Sequence, residues 1–301
     1  MTRSIYDFAE YESDKEAEKR DTTYSYSGQE NLGWLLRKPT SVTAHVEGKK
    51  LIHKTIYEPS TGNVLETQPP AGESKETETG TYAGQFGSAG EANGEFSSPK
   101  GVAVASDGDV YVVDANNHRV QEFSSSGTYI TQWGSKGTGN GQFEIPWAVA
   151  IASDGDVYVT DVELDRVQEF SSSGTYITQW GSEGKEDGQF KSPKSIAVAS
   201  NGDVYVVDTG NDRVQEFTST GTYIKQWGSI GTENGQFNSP QAIAIAASGD
   251  VYVAGFEDKV QEFTSAGEYI TKWDSEGKGY GQMSDPAGIA VAANAMCTLA
   301  K

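Results

Sequence analysis

The sequence predicts an all-β protein whose larger part is a radial repeat of small antiparallel sheets, and three observations carry that prediction. Asp107-Gly108-Asp109-Val110-Tyr111 returns every 47 residues, headed in turn by Asp154, Asn201 and Ser248. Phe86, Trp133, Trp180 and Trp227 keep the same step, and Trp273 comes one residue early after a single deletion. Each unit holds four β-type runs, and a fixed period of this length with that content is the signature of a β-propeller or a related repeat fold.

Taken in chain order, residues 1–67 form a separate β-rich segment. Residues 5–20 mix Ile5, Phe8 and Ala9 with charge and read as a short surface helix. The periodicity then shifts to two, giving strands at Thr22–Tyr26, Ser41–Val46, Leu51–Tyr57 and Asn63–Thr67. Residues 68–79, with Pro69-Pro70-Ala71-Gly72, are a polar linker.

In the first full repeat the four runs, here a to d, are Val102–Ala105, Val110–Asp114, Val120–Phe123 and Thr128–Trp133. Ser106-Asp107-Gly108 and Ser124-Ser125-Ser126-Gly127 supply the turns of tight hairpins. Strand a is apolar throughout and strand d is mixed, which places a innermost and d outermost. Blades are expected at 99–133, 146–180, 193–227 and 240–273, with an orphan d strand at 80–86 and an orphan a strand at 288–292. Residues 293–301 abandon the repeat and read as a tail. The result is an arc of four complete blades; residues 22–67, another chain, or the missing part of a truncated product stand as alternative ways to close it.

The acidic balance is concentrated in the repeats. Residues 80–301 hold 29 acids against 13 bases, while residues 1–79 hold 14 against 10. Such a surface repels phosphate backbones and argues against nucleic acid as a partner. No run of 18 apolar residues is present and the amino terminus lacks a hydrophobic export signal, so no membrane insertion is expected. A lone cysteine, Cys297, rules out an internal disulfide framework.

Pro99-Lys100-Gly101-Val102, Asp107–Asp114, Asn117-His118-Arg119-Val120 and Gln121-Glu122-Phe123 together resemble the NHL repeat. The resemblance covers residues 80–292 in four copies; Glu163-Leu164-Asp165-Arg166 departs from it in the second, and Gly255 and Lys259 replace the aspartate and arginine in the fourth. It implies an NHL-type β-propeller, a family in which closed rings of six blades are common. Thr22–Tyr26 and Thr55–Thr67 resemble the Tyr-Asp repeats of RHS and teneurin-like proteins, with Glu58 in place of the aspartate. That second resemblance implies a piece of a large bacterial surface or secreted protein, hence an extracellular location.

Candidate residues fall into two sets. Asp114/Arg119, Asp161/Arg166 and Asp208/Arg213 bracket the b–c loops and read as structural pairs that pin the turn, each contributing about 0.5 kcal/mol if exposed. The Asp-Gly-Asp turns lack the ligand spacing of a calcium loop, and the tryptophans read as inter-blade packing anchors. The Gly-rich stretches 134–141, 181–188 and 228–235 lack the lysine-serine ending of a phosphate loop and read as blade connectors. Two of the three histidines, His45 and His53, lie outside the repeats, so no metal site and no cofactor is expected.

The second set comes from variation among near-copies. The residue after the proline changes as Lys100, Trp147, Lys194 and Gln241 and is placed at one mouth of the central channel. The b–c loops open on the same face and add His118, Leu164 and Phe256. Apolar residues on a polar rim suit recognition of a protein or glycan. The expected function is therefore a non-catalytic interaction scaffold, with self-association through incomplete blades. The alternatives are a channel-centred lyase or hydrolase, which needs polar groups converging on the axis, and an RNA-binding module, which the charge disfavours.

Overall fold

A computed structural model describes residues 85–256, 258–273 and 286–291 with their side chains, and the backbone of 21–25, 41–46, 49–57, 64–68, 274 and 297–300. The chain divides into two units, Met1–Ala83 and Gly84–Lys301. In the first, β1 (Asp21–Ser25), β2 (Ser41–Val46), β3 (Lys49–Tyr57) and β4 (Val64–Gln68) form an antiparallel meander in that order. The helix expected over 5–20, the 69–79 part of the linker and the turn residues quoted for the Tyr-Asp resemblance lie outside the described residues.

The second unit is all-β. After β5 (Ser88–Ala89) and β6 (Glu95–Phe96), β7 (Pro99–Val104), β8 (Val110–Asp114), β9 (Arg119–Phe123) and β10 (Tyr129–Trp133) form the first blade. The second is β11 (Pro146–Ile151), β12 (Val157–Asp161), β13 (Arg166–Phe170) and β14 (Tyr176–Trp180). The third is β15 (Pro193–Val198), β16 (Val204–Asp208), β17 (Arg213–Phe217) and β18 (Tyr223–Trp227). The fourth is β19 (Pro240–Ile245), β20 (Val251–Gly255), β21 (Lys259–Phe263) and β22 (Tyr269–Asp274). Each blade keeps the order a-b-c-d, and the a strands of successive blades lie side by side.

A fifth, partial blade follows. β23 (Gly288–Val291) pairs antiparallel with β24 (Cys297–Ala300), so the residues expected to be a tail hold a strand in the place of strand b. The consensus is lost there, but the pairing of a with b survives because backbone groups make it.

Burial does not follow the apolar gradient. Strand a is only half buried, whereas b and c are buried along almost their whole length although c reads Arg-Val-Gln-Glu-Phe. The reason is position: b and c have strands on both edges and blades on both faces, while a lines the open axis.

Adjacent blades share seams. At the first, Tyr111, Val113 and Val120 meet Val149, Val157, Val159 and Phe170. Trp133 packs 6.0 Å from Tyr111 of its own blade and 5.9 Å from Phe170 of the next, and Trp180 and Trp227 repeat this. Each indole lies over a glycine of the following c–d turn; at Gly221, φ is +80° and a Cβ would sit 2.5 Å from Trp180. Trp133, Trp180 and Trp227 are thus inter-blade anchors, whereas Trp273 stacks on Tyr252 of its own blade and stays exposed. Phe86 takes the same place before the first blade, 4.9 Å from Phe123. The inner part of that face is open: Val102 is 65% exposed, against 6% for its equivalent Val149.

Candidate functional site

Register generates the rim. In every blade strand a carries one more residue than strand b between its proline and the regular ladder: Pro146 pairs with Asp161 and Val149 with Val159, and the other three copies show the same shift. A bulge bends its strand and re-aims a side chain. Proline suits the strand start, where no ladder donor is lost. Lys100, Trp147, Lys194 and Gln241 all occupy this shifted stretch, so four bulges deliver four side chains to one end of the a strands.

These side chains touch in series. Lys100 Nζ lies 4.7 Å from the Trp147 ring centroid and Lys194 Nζ lies 5.6 Å from it. Lys194 Nζ also donates to Gln241 Oε1 at 3.1 Å and stands 5.9 Å from the Phe256 ring. Trp147, Lys194 and Gln241 are half-buried, whereas Lys100 and Phe256 are exposed. Burial, and then the charge of Lys100, pulls the Lys194 ammonium below its ordinary proton affinity. Among the described residues neither lysine has a carboxylate within ion-pair distance.

Of the other two rim candidates, His118 is engaged elsewhere. His118 Nδ1 is 2.7 Å from the Glu144 carbonyl of the next connector, and Leu164 is half-buried with its N–H directed at Asp161. Phe256 directly follows strand b, in register with Ala115, Val162 and Thr209, because the fourth b–c loop is one residue shorter.

The acid–base pairs are buried, not exposed. Asp114 and Arg119 meet at 2.8 Å and Asp208 and Arg213 at 2.7 Å, with both carboxylates fully enclosed. Each guanidinium reaches back to the preceding connector; Arg213 donates to the carbonyls of Lys185, Glu186 and Gln189. The second copy differs. Asp161 accepts from the N–H groups of Glu144 and Ile145, and Arg166 Nε has no partner. In the first and third copies Asn117 or Asn211 donates to the aspartate from three residues on, and Leu164 cannot.

Composition hid one further set. Gln121, Gln168, Gln215 and Gln261 are fully buried on strand c, and each binds both a glycine N–H and a carbonyl of the preceding connector, as Gln168 does with Gly141 N and Gln142 O. An amide repeated unchanged in four strands is the signal that marks them. The Asp-Gly-Asp turns cap themselves; Asp107 Oδ1 accepts from Asp109 N at 3.0 Å.

Proton affinities are shifted inside the blades. Burial pushes the carboxyls of Glu122, Asp156, Asp165, Glu169 and Asp208 above the ordinary range, and the hydroxyls of Tyr111 and Tyr158, which donate to Glu122 and Glu169, only partly offset it. The folded chain therefore holds protons that the unfolded chain has released. Stability falls as pH rises from the ordinary carboxylate range through the raised values, and the growing negative self-repulsion acts in the same direction. The melting temperature is expected to rise as pH is lowered from neutral toward about 5. Glu169→Gln is expected to flatten that slope, and a melting temperature that falls over the interval contradicts the assignment.

At the far end of the a strands a cavity of about 410 Å³ opens between Val104, Ile151, Val198 and Ile245 and the turn residues after them. Among the described residues no group of three or more metal-ligating side chains occurs, and no helix is long and apolar enough to cross a membrane.

The geometry defines an open β-propeller arc, and comparisons with known proteins agree. The NHL repeat family matches residues 96–123 and 190–217, which cover strands a to c of the first and third blades. The chain thus carries NHL repeats. It is 38% identical over 77 residues to the B-box type zinc finger protein ncl-1 of Caenorhabditis elegans, covering 22% of this chain and 9% of that protein. Virginiamycin B lyase from Staphylococcus aureus superposes with a TM-score of 0.53 at 16% identity, over 67% of this chain and 62% of the lyase. The gluconolactonase XC5397 from Xanthomonas campestris gives 0.50 at 12% identity, over 67% and 69%. These likenesses establish the propeller-like fold and leave chemistry to the site.

Proposed function

We propose that the repeat unit is a non-catalytic interaction scaffold that captures a protein or glycan on the Lys100–Trp147–Lys194–Gln241 rim, within a larger bacterial surface or secreted protein. The observation that carries this is the convergence of four bulges on one mouth, where near-identical copies differ from one another. Repeated residues build the blades. The varied ones meet in a single contiguous chain and add the exposed ring of Phe256. The non-catalytic part of the reading is supported by where the shifted carboxyls lie: Glu122, Glu169 and Asp208 are spent inside the blades on tyrosine, arginine and backbone partners.

Capture on glycan arrays and from culture supernatants, with wild-type chain and with Trp147→Ala and Phe256→Ala, tests the proposal. Both substitutions are expected to abolish the wild-type signal without changing the melting temperature. Capture that survives both removes the rim from the binding surface.

A further inference from the structure

We infer that the rim binds an acidic oligosaccharide, a uronic-acid chain whose carboxylates pair with Lys100 and Lys194 on either side of Trp147 in the rim order. The inference deepens the proposed function and rests on it. Two ammonium groups lie within 5.6 Å of one indole centroid, on a chain with a formal net charge of −20. Forty-three acidic residues are available to pair with twenty-three basic ones, yet among the described residues no carboxylate reaches either ammonium. Like charges gathered on a half-buried ring repel each other, and the indole face compensates only part of that cost. An oligosaccharide that carries a carboxylate on successive residues neutralises each ammonium, through charge-assisted hydrogen bonds that are stronger than neutral ones.

The remaining groups favour a sugar over an acidic peptide. Gln241 has an amide with donors and an acceptor, which matches hydroxyl groups that themselves donate and accept. Phe256 presents a ring that is 47% exposed beside Lys194, an apolar platform for the C–H face of a pyranose. Along the rim the order is cation, aromatic, cation, amide, one side chain per blade. Poly-glutamate offers the cations its carboxylates but has no pyranose C–H face for the exposed ring.

Titration calorimetry of the whole chain with oligogalacturonate, its methyl ester and poly-glutamate decides the matter. Oligogalacturonate is expected to bind with an affinity that falls with added salt, and esterification to weaken it about tenfold or more, the loss of one charged hydrogen-bonding group. Lys194→Gln and Lys100→Gln are each expected to weaken it by a similar factor. Lys100 is exposed, so its variant folds as wild type and decides the outcome if Lys194→Gln lowers the melting temperature. Equal binding of acid and ester, no binding of oligogalacturonate, preference for poly-glutamate, or wild-type affinity in Lys100→Gln each overturns the inference. If a neutral glycan or a protein is instead captured and lost in Trp147→Ala, the acidic-sugar assignment fails and the rim stands.

Discussion

Asp208→Ala is expected to destabilise the repeat unit by about 3–5 kcal/mol, the cost of leaving a buried charge without its partner. Asp208 is fully buried and its oxygens accept from Arg213 Nε, Asn211 Nδ2, Gln215 Nε2 and the N–H of Lys191. Three of these donors lie on the b–c hairpin and the fourth on the connector from the previous blade. Removing the carboxylate strands Arg213 Nε and the N–H of Lys191, takes one of two bonds from Asn211 and Gln215, which keep the carbonyls of Gly184 and Gln189, and leaves the guanidinium with neutral acceptors only. The fourth blade shows how the position tolerates loss of its acid: Gly255 replaces the aspartate, and Lys259 replaces the arginine and donates to the Thr232 carbonyl. A lysine is a single point of charge, whereas the arginine fork is built to meet several acceptors at once. Arg213→Lys added to Asp208→Ala is therefore expected to cost less than the two single losses combined, and a double-mutant cycle in urea checks it. Additive losses would show that the pair is not one unit.

That pair marks where the sequence is legible and where it is not. The 47-residue step sets the blades, because each copy must present the same faces to identical neighbours. The rim was visible for the converse reason: where Lys100, Trp147, Lys194 and Gln241 differ, no shared packing demand holds them alike. Burial was misjudged wherever polarity stood in for exposure. A b–c loop looks like a surface turn, yet the preceding connector folds over it and encloses Asp114 and Asp208. Gln168 looks like a polar strand residue, but its amide satisfies a backbone donor and acceptor that would otherwise be stranded inside. The strand at Cys297–Ala300 left no trace in the repeat consensus because main-chain pairing needs none. His118 leaves the rim for a related reason: an αL turn residue, as at His118 and Asp165, directs its side chain to the next blade's connector.

Phe217→Ala is expected to cost a further 3–5 kcal/mol and, more informatively, to change how the arc melts. Phe217 is fully buried where the second and third blades meet, 5.9 Å from Trp180, 5.5 Å from Phe190 and 6.0 Å from Tyr223. Stability in a repeat array is the sum of weak units and the interfaces between them, so cooperativity runs through the seams. A cavity at a central seam uncouples the blades on either side, and calorimetry is expected to resolve one transition into two. Phe123→Ala removes the equivalent ring from the margin, where Phe86 and Phe96 cover it and, among the described residues of this unit, no complete blade precedes. It is expected to lower the transition without splitting it. A single undivided transition in Phe217→Ala would mean that the hydrogen bonds from Arg213 and Gln215 to the connector, and not the aromatic seam, hold the blades as one cooperative unit.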